Sequence, residues 1–147
     1  MKTIMKLSNA LVACLLAISF SIFASSALAQ TMPEAKGRLF INLTSLEPQR
    51  VALANFIGTT QAEAGVPVTM LLSIDAVRIA NKNAPLFAVQ RADLEHSIKS
   101  GVRVIVNPRS MMYHGMTDAD LIDGVQKGNP KLLREALIVP NTSTLTW

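Results

Sequence analysis

Two short runs constrain this chain more than anything else in it: Val68-Thr69-Met70-Leu71-Leu72 and Val102-Arg103-Val104-Ile105-Val106. The first is nearly continuously apolar, as expected of a strand covered on both faces, and the second is the clearest strand in the sequence. Both are flanked by helical patterns. Arg38 to Thr44 alternates and reads as an earlier strand. Ser45, with Pro48 just inside, opens a helix that runs to Gly65, a residue suited to a left-handed C-terminal cap. Asp75 to Asn81 reads as a short helix. Asn83 to Val89 contains Pro85 and reads as a loop with room for a short edge strand. A further helix covers Ala92 to Ser100 and stops at Gly101. Asn107 to Met116 is a polar, methionine-rich loop. Thr117 then caps a helix with Asp118 and Asp120 in its first turn. Asn129-Pro130 starts another that reaches Ile138, and Thr142 to Trp147 forms a terminal strand. Strands alternating with helices across short loops predict one α/β domain with a mainly parallel sheet and helices on both faces.

The start of the chain belongs to a different class of segment. Lys2 and Lys6 precede an apolar run from Ala10 to Phe23, followed by Ala24-Ser25-Ser26-Ala27-Leu28-Ala29 and Gln30, the order of a secretory signal peptide. Cleavage after Ala29 is expected, which assigns residues 1–29 to the signal and 30–147 to the domain. Leu11-Val12-Ala13-Cys14 resembles a lipobox, but the apolar run continues past Cys14 to Phe23, so the reading favours cleavage over acylation. A periplasmic or secreted protein with no membrane association after cleavage follows. Cys14 is the only cysteine, so the processed chain has no thiol nucleophile, disulfide or cysteine metal site. Removing the two leader lysines lowers the net charge from +4 to +2, which gives little support to a nucleic-acid partner.

In an open parallel sheet, ligands bind beyond the carboxyl ends of the strands. Thr44 and Ser45, Ser73 and Asp75, and the segment Asn107 to His114 occupy such ends; the candidate ligand-binding residues are Thr44, Ser45, Asp75, Asn107, Arg109, Ser110, Tyr113 and His114. Ser110, His114 and Asp118 are spaced four apart, and on one helix they would share a face with a serine nucleophile beside a histidine base. No nucleophile-elbow pattern surrounds Ser110, so the same residues also read as solvated groups near a helix cap. Met111, Met112, His114 and Met116 form a soft set suited to Cu(I), or else fill gaps in a core. Arg109, next to a helix start, could hold a small anion or simply be solvated. His96 reads as a helix-surface residue, and Asp118, Asp120 and Asp123 as capping and solvent-face charges. Neither phosphate-loop pattern occurs, and no cofactor is expected. Asn42-Leu43-Thr44 and Asn141-Thr142-Ser143 match a glycosylation sequon, a pattern frequent by chance.

Several separated motifs, in order, resemble the DsrE/DsrF-like (YchN-like) family. They are Phe40-Ile41-Asn42-Leu43-Thr44-Ser45 with Arg50, Glu63-Ala64-Gly65-Val66-Pro67-Val68-Thr69, Asp75-Ala76-Val77-Arg78, Gly101 to Pro108, His114-Gly115-Met116 and Asp120 to Val125. The resemblance spans Arg38 to Trp147 and implies a three-layer α/β/α fold, assembly as a homo-oligomer or with a protein partner, and sulfur relay through a persulfide. The family's cysteine follows the strand matched by Val102 to Val106, where this chain reads Asn107-Pro108-Arg109-Ser110. Neither an amide nor a hydroxyl carries a transferable sulfur, so the scaffold carries over and the relay does not. The expected function is therefore a non-catalytic periplasmic binding or interaction protein; the alternative is an enzyme or metal-handling protein that uses Ser110, His114 and the methionines.

Overall fold

A computed structural model describes residues 37–147; the expected signal peptide, its cleavage position and Cys14 lie outside the described residues. Five parallel strands form the sheet: β1 (Arg38–Leu43), β2 (Val68–Leu72), β3 (Arg103–Val106), β4 (Val125–Lys127) and β5 (Thr142–Thr146), in the order β4-β3-β2-β1-β5. The helices are α1 (Pro48–Glu63), α2 (Ala88–Lys99), α3 (Pro108–Tyr113) and α4 (Pro130–Leu137), with 3-10 helices at Ile74–Ala80, Pro85–Phe87 and Asp118–Asp120. The architecture is the expected one, a parallel sheet between helical layers.

Strand alternation decides which residues each layer covers. Leu39, Ile41 and Leu43 stand in register with Val68, Met70 and Leu72, and the last two with Val104 and Val106. That face packs against Val51 and Ala54 of α1, Leu94 of α2 and the 3-10 helix residues Ala76, Val77, Ile79 and Ala80. On the opposite face Phe40, Leu71 and Ile105 are covered by Leu132, Leu133 and Ala136 of α4. The asymmetry follows from the strand order. The chain steps in one direction from β1 to β4, which leaves its connections on one face, whereas the return from β4 to β5 runs backwards and places α4 on the other.

Several boundaries differ from the sequence expectation, each for a local reason. Glu47, not Ser45, caps α1: its carboxylate oxygens accept the Gln49 and Arg50 N–H groups at 3.0 and 2.9 Å. Ser45 Oγ instead accepts the Glu47 N–H at 3.0 Å. The segment 83–89 contains no strand. A guanidinium nitrogen of Arg91 donates to the carbonyls of Asn81 and Ala84, at 2.9 and 2.8 Å, and fixes a 3-10 turn that leads into α2 at Ala88, earlier than expected. The expected loop after β3 holds α3, because Asn107 caps it and Pro108 takes its first position. Strand β4 was not expected at all.

The helix expected after Thr117 is only the 3-10 turn Asp118–Asp120. Asp120 is held by the Thr117 N–H, the Thr117 hydroxyl and the Asn83 amide, each donating at 2.8 Å. These bonds, the Thr117 N–H first, keep its carboxyl below the ordinary carboxylate range. A folded-state value below the unfolded one means that the contribution is full above the unfolded value and fades as pH falls through the folded one. Wild type should therefore lose more stability than Asp120→Asn between about pH 5 and pH 2 in acid unfolding followed by circular dichroism.

Candidate functional site

The carboxyl ends of β2 and β3 are tied side by side by the Asn107 N–H, which donates to the Leu72 carbonyl at 2.9 Å, and β2 is tied in the same way to β1 by the Ser73 N–H, which donates to the Leu43 carbonyl at 2.9 Å. Both strands then turn outward. After β2, Ser73 Oγ donates to Asn42 Oδ1 at 2.8 Å, and the next residue, Ile74, adopts φ +55°. That left-handed conformation is rare for a β-branched side chain and costs on the order of 1–3 kcal/mol. A contact from the neighbouring element holds it, since the Ile74 N–H donates to Ser110 Oγ at 2.9 Å. After β3, Asn107 Oδ1 accepts the N–H groups of Arg109 and Ser110 at 2.9 and 3.2 Å, which starts α3 and fixes Ser110 opposite Ile74.

At the far end of α3, His114 turns back toward the 3-10 helix. Its Nε2 lies 3.2 Å from Asp75 Oδ1, and its side chain is largely covered whereas that of Asp75 is half exposed. The Tyr113 and His114 rings meet edge to face, centroids 5.5 Å apart at 85°. Between these groups opens a cavity of about 460 Å³ lined by Ile74, Asp75, Asn107, Arg109, Ser110, Tyr113 and His114. The size suits a small molecule.

Six of the eight candidate residues thus meet in one pocket. Thr44 and Ser45 do not line it: the Thr44 N–H and hydroxyl both bond the Trp147 carbonyl beside β5, and Ser45 is turned to Glu47. The Ser110, His114 and Asp118 alignment is also absent. Helix α3 ends before Asp118, which pairs with Lys127 at 2.8 Å, and the acid beside His114 is Asp75. Among the described residues no hydrogen bond joins the Ser110 hydroxyl to the His114 ring; the two residues meet only through the backbone, where the His114 N–H donates to the Ser110 carbonyl at 3.1 Å. The four-residue soft set does not assemble on one surface, because Met111 and Met116 are buried in the core and Met112 is exposed. Nor are the first amides of α3 open to an anion, since Asn107 already occupies them.

Sequence reasoning missed Ile74, for which no sequence signal exists: an isoleucine in the left-handed region is imposed by its surroundings. It also missed a second cavity of about 520 Å³ lined by Lys82, Glu95, Ile98, Lys99, Ile122, Asp123 and Gly124. A segment tied to the strand-like bridge between Asn81 and Leu121 forms one wall of it. His96 is exposed on α2, as expected.

No protein-family model matches the chain, and no curated protein matches it. Solved structures do. The chain is similar to a protein of unknown function, MTH1491 from Methanobacterium thermoautotrophicum, with a TM-score of 0.60 and 15% identity over 76% of this chain and 99% of that one. It is likewise similar to the ychN protein from E. coli, with a TM-score of 0.61 and 18% identity over 76% of this chain and 99% of that one. At these identities the likeness concerns architecture, and the chain has the three-layer α/β/α, YchN-like fold that its sequence motifs led us to expect.

Proposed function

We propose that this chain is a non-catalytic binding or interaction protein of the periplasm, built on a DsrE-like scaffold without that family's sulfur-carrying cysteine. The supporting observation is that the polar groups a reaction would use are engaged in holding the pocket's shape. Asn107, which follows β3 where the resemblance places the cysteine, caps α3; Ser110 Oγ accepts the Ile74 N–H; and His114 faces Asp75 rather than Ser110. A serine without a base on its hydroxyl is a weak nucleophile, whereas fixed donors around a cavity are what recognition of a small ligand needs. The leader supports export, and the resemblance supports action as a homo-oligomer or beside a periplasmic protein partner, without nucleic acid or membrane.

The test takes the chain expressed from its complete coding sequence and purified after export. It should hydrolyse no member of a small-ester panel, its intact mass should gain no sulfur from a persulfide donor, and members of a small-molecule panel should raise its melting temperature. A ligand at about 100 times its Kd adds roughly 2.7 kcal/mol to stability, well within reach of thermal melting. Ester turnover abolished by Ser110→Ala, or sulfur uptake by the exported protein, would overturn the reading.

A further inference from the structure

We infer that the pocket at the ends of β2 and β3 takes a small organic carboxylate, with its charged end at Arg109, Ser110 and Asn107 and its apolar body against Ile74 and Tyr113. This rests on the binding reading above and names the ligand class.

The inference follows from counting donors against acceptors. Asn107 uses Oδ1 to accept two backbone N–H groups, which leaves its amide nitrogen with both hydrogens unused among the described residues. Ser110 Oγ accepts from Ile74, so its own hydroxyl hydrogen is available, and no donated bond from it occurs among the described residues. Arg109 is exposed and its guanidinium enters no ion pair or side-chain hydrogen bond among the described residues. Three neighbouring residues, all lining the same cavity, therefore present donors with no matching acceptor. A carboxylate supplies what they lack, and a guanidinium can take it through two parallel bonds.

The remaining groups select among anions. Asp75 lines the cavity too, and one of its oxygens faces His114 Nε2. Its negative charge offsets that of Arg109 in the same cavity, so a dianion gains no net Coulomb advantage over a monoanion and the apolar surfaces decide between inorganic phosphate and an organic carboxylate. Ile74 and Tyr113 are 60% and 86% exposed, so the pocket's rim offers an aliphatic and an aromatic surface that a bare inorganic ion would leave uncovered. A carboxylate carrying a compact apolar group satisfies both halves of the site.

Isothermal titration of the exported chain with benzoate, benzamide, benzylammonium and inorganic phosphate tests this. Benzoate should bind saturably and about tenfold or more tighter than each of the others, the discrimination expected where an Arg–carboxylate pair is lost. Arg109→Gln alters an exposed side chain without touching the fold; it should weaken benzoate by about tenfold and leave benzamide unchanged. Equal binding of benzamide, or tighter binding of benzylammonium or phosphate, overturns the ligand class while leaving a binding pocket in place. Binding of none of the four also overturns it, and the wider panel described above then decides separately whether the pocket binds anything.

Discussion

Leu72→Ala is expected to lower stability by about 3 kcal/mol, a typical cost for a leucine truncated where its neighbours cannot close the gap. Leu72 is fully buried on the central strand β2, in register with Leu43 on one side and Val106 on the other. Neighbouring strands fix these positions through the sheet's hydrogen bonds, so the space left by the missing methyl groups persists. In a domain of this size the melting temperature should drop by roughly 10–20 °C, measurable by calorimetry. A loss under about 1 kcal/mol would mean that this layer of the core relaxes freely, contrary to its packing.

Gly124→Ala should be nearly as damaging although it adds only a methyl group. Gly124 has φ +83°, and a Cβ placed there would lie 2.7 Å from Ile98 Cγ2 on α2. The left-handed backbone costs a non-glycine residue about 1–2 kcal/mol, and overpacking adds about 1–3 kcal/mol. The two parts separate in a double-mutant cycle. Ile98→Ala should relieve the steric part in the Gly124→Ala background and leave the backbone part, giving a coupling of about 1 kcal/mol or more in denaturant unfolding. Strict additivity would place the cost in the backbone alone.

What the sequence disclosed follows from how local each cause is. β1, β2 and β3 were legible because their apolar residues fill both faces or one face of a buried sheet, and α4 because Asn129 and Pro130 form a cap and first position. Asn107 and Pro108 carry the same signal for α3, and it was outweighed by the polar, methionine-rich stretch that follows. Strand β4 escaped notice because Val125-Gln126-Lys127 is short, lies at the sheet edge and is polar, so it has no periodicity to read. The site divides in the same way. The rule that ligands gather at strand ends pointed to Asp75 and to Asn107 through His114. The pairing of His114 with Asp75, rather than with Asp118, depends on α3 folding back over the 3-10 helix at Ile74–Ala80, which no local pattern encodes. Thr44 and Ser45 also sit at a strand end, but β5 and Glu47 claim their hydrogen bonds.

On the function proposed above, a ligand binds at the ends of β2 and β3, in the pocket closed by the Ile74–Ser110 and Asp75–His114 contacts. Residue-resolved amide chemical shifts recorded while benzoate is titrated into the isotope-labelled protein show where it binds. The largest saturable changes should fall on Ile74, Asp75, Arg109, Ser110 and His114, with little change at Lys82, Lys99 and Gly124 around the second cavity. Changes concentrated at Lys82, Ile98, Lys99 and Gly124, with Ile74 and Ser110 unmoved, would contradict it.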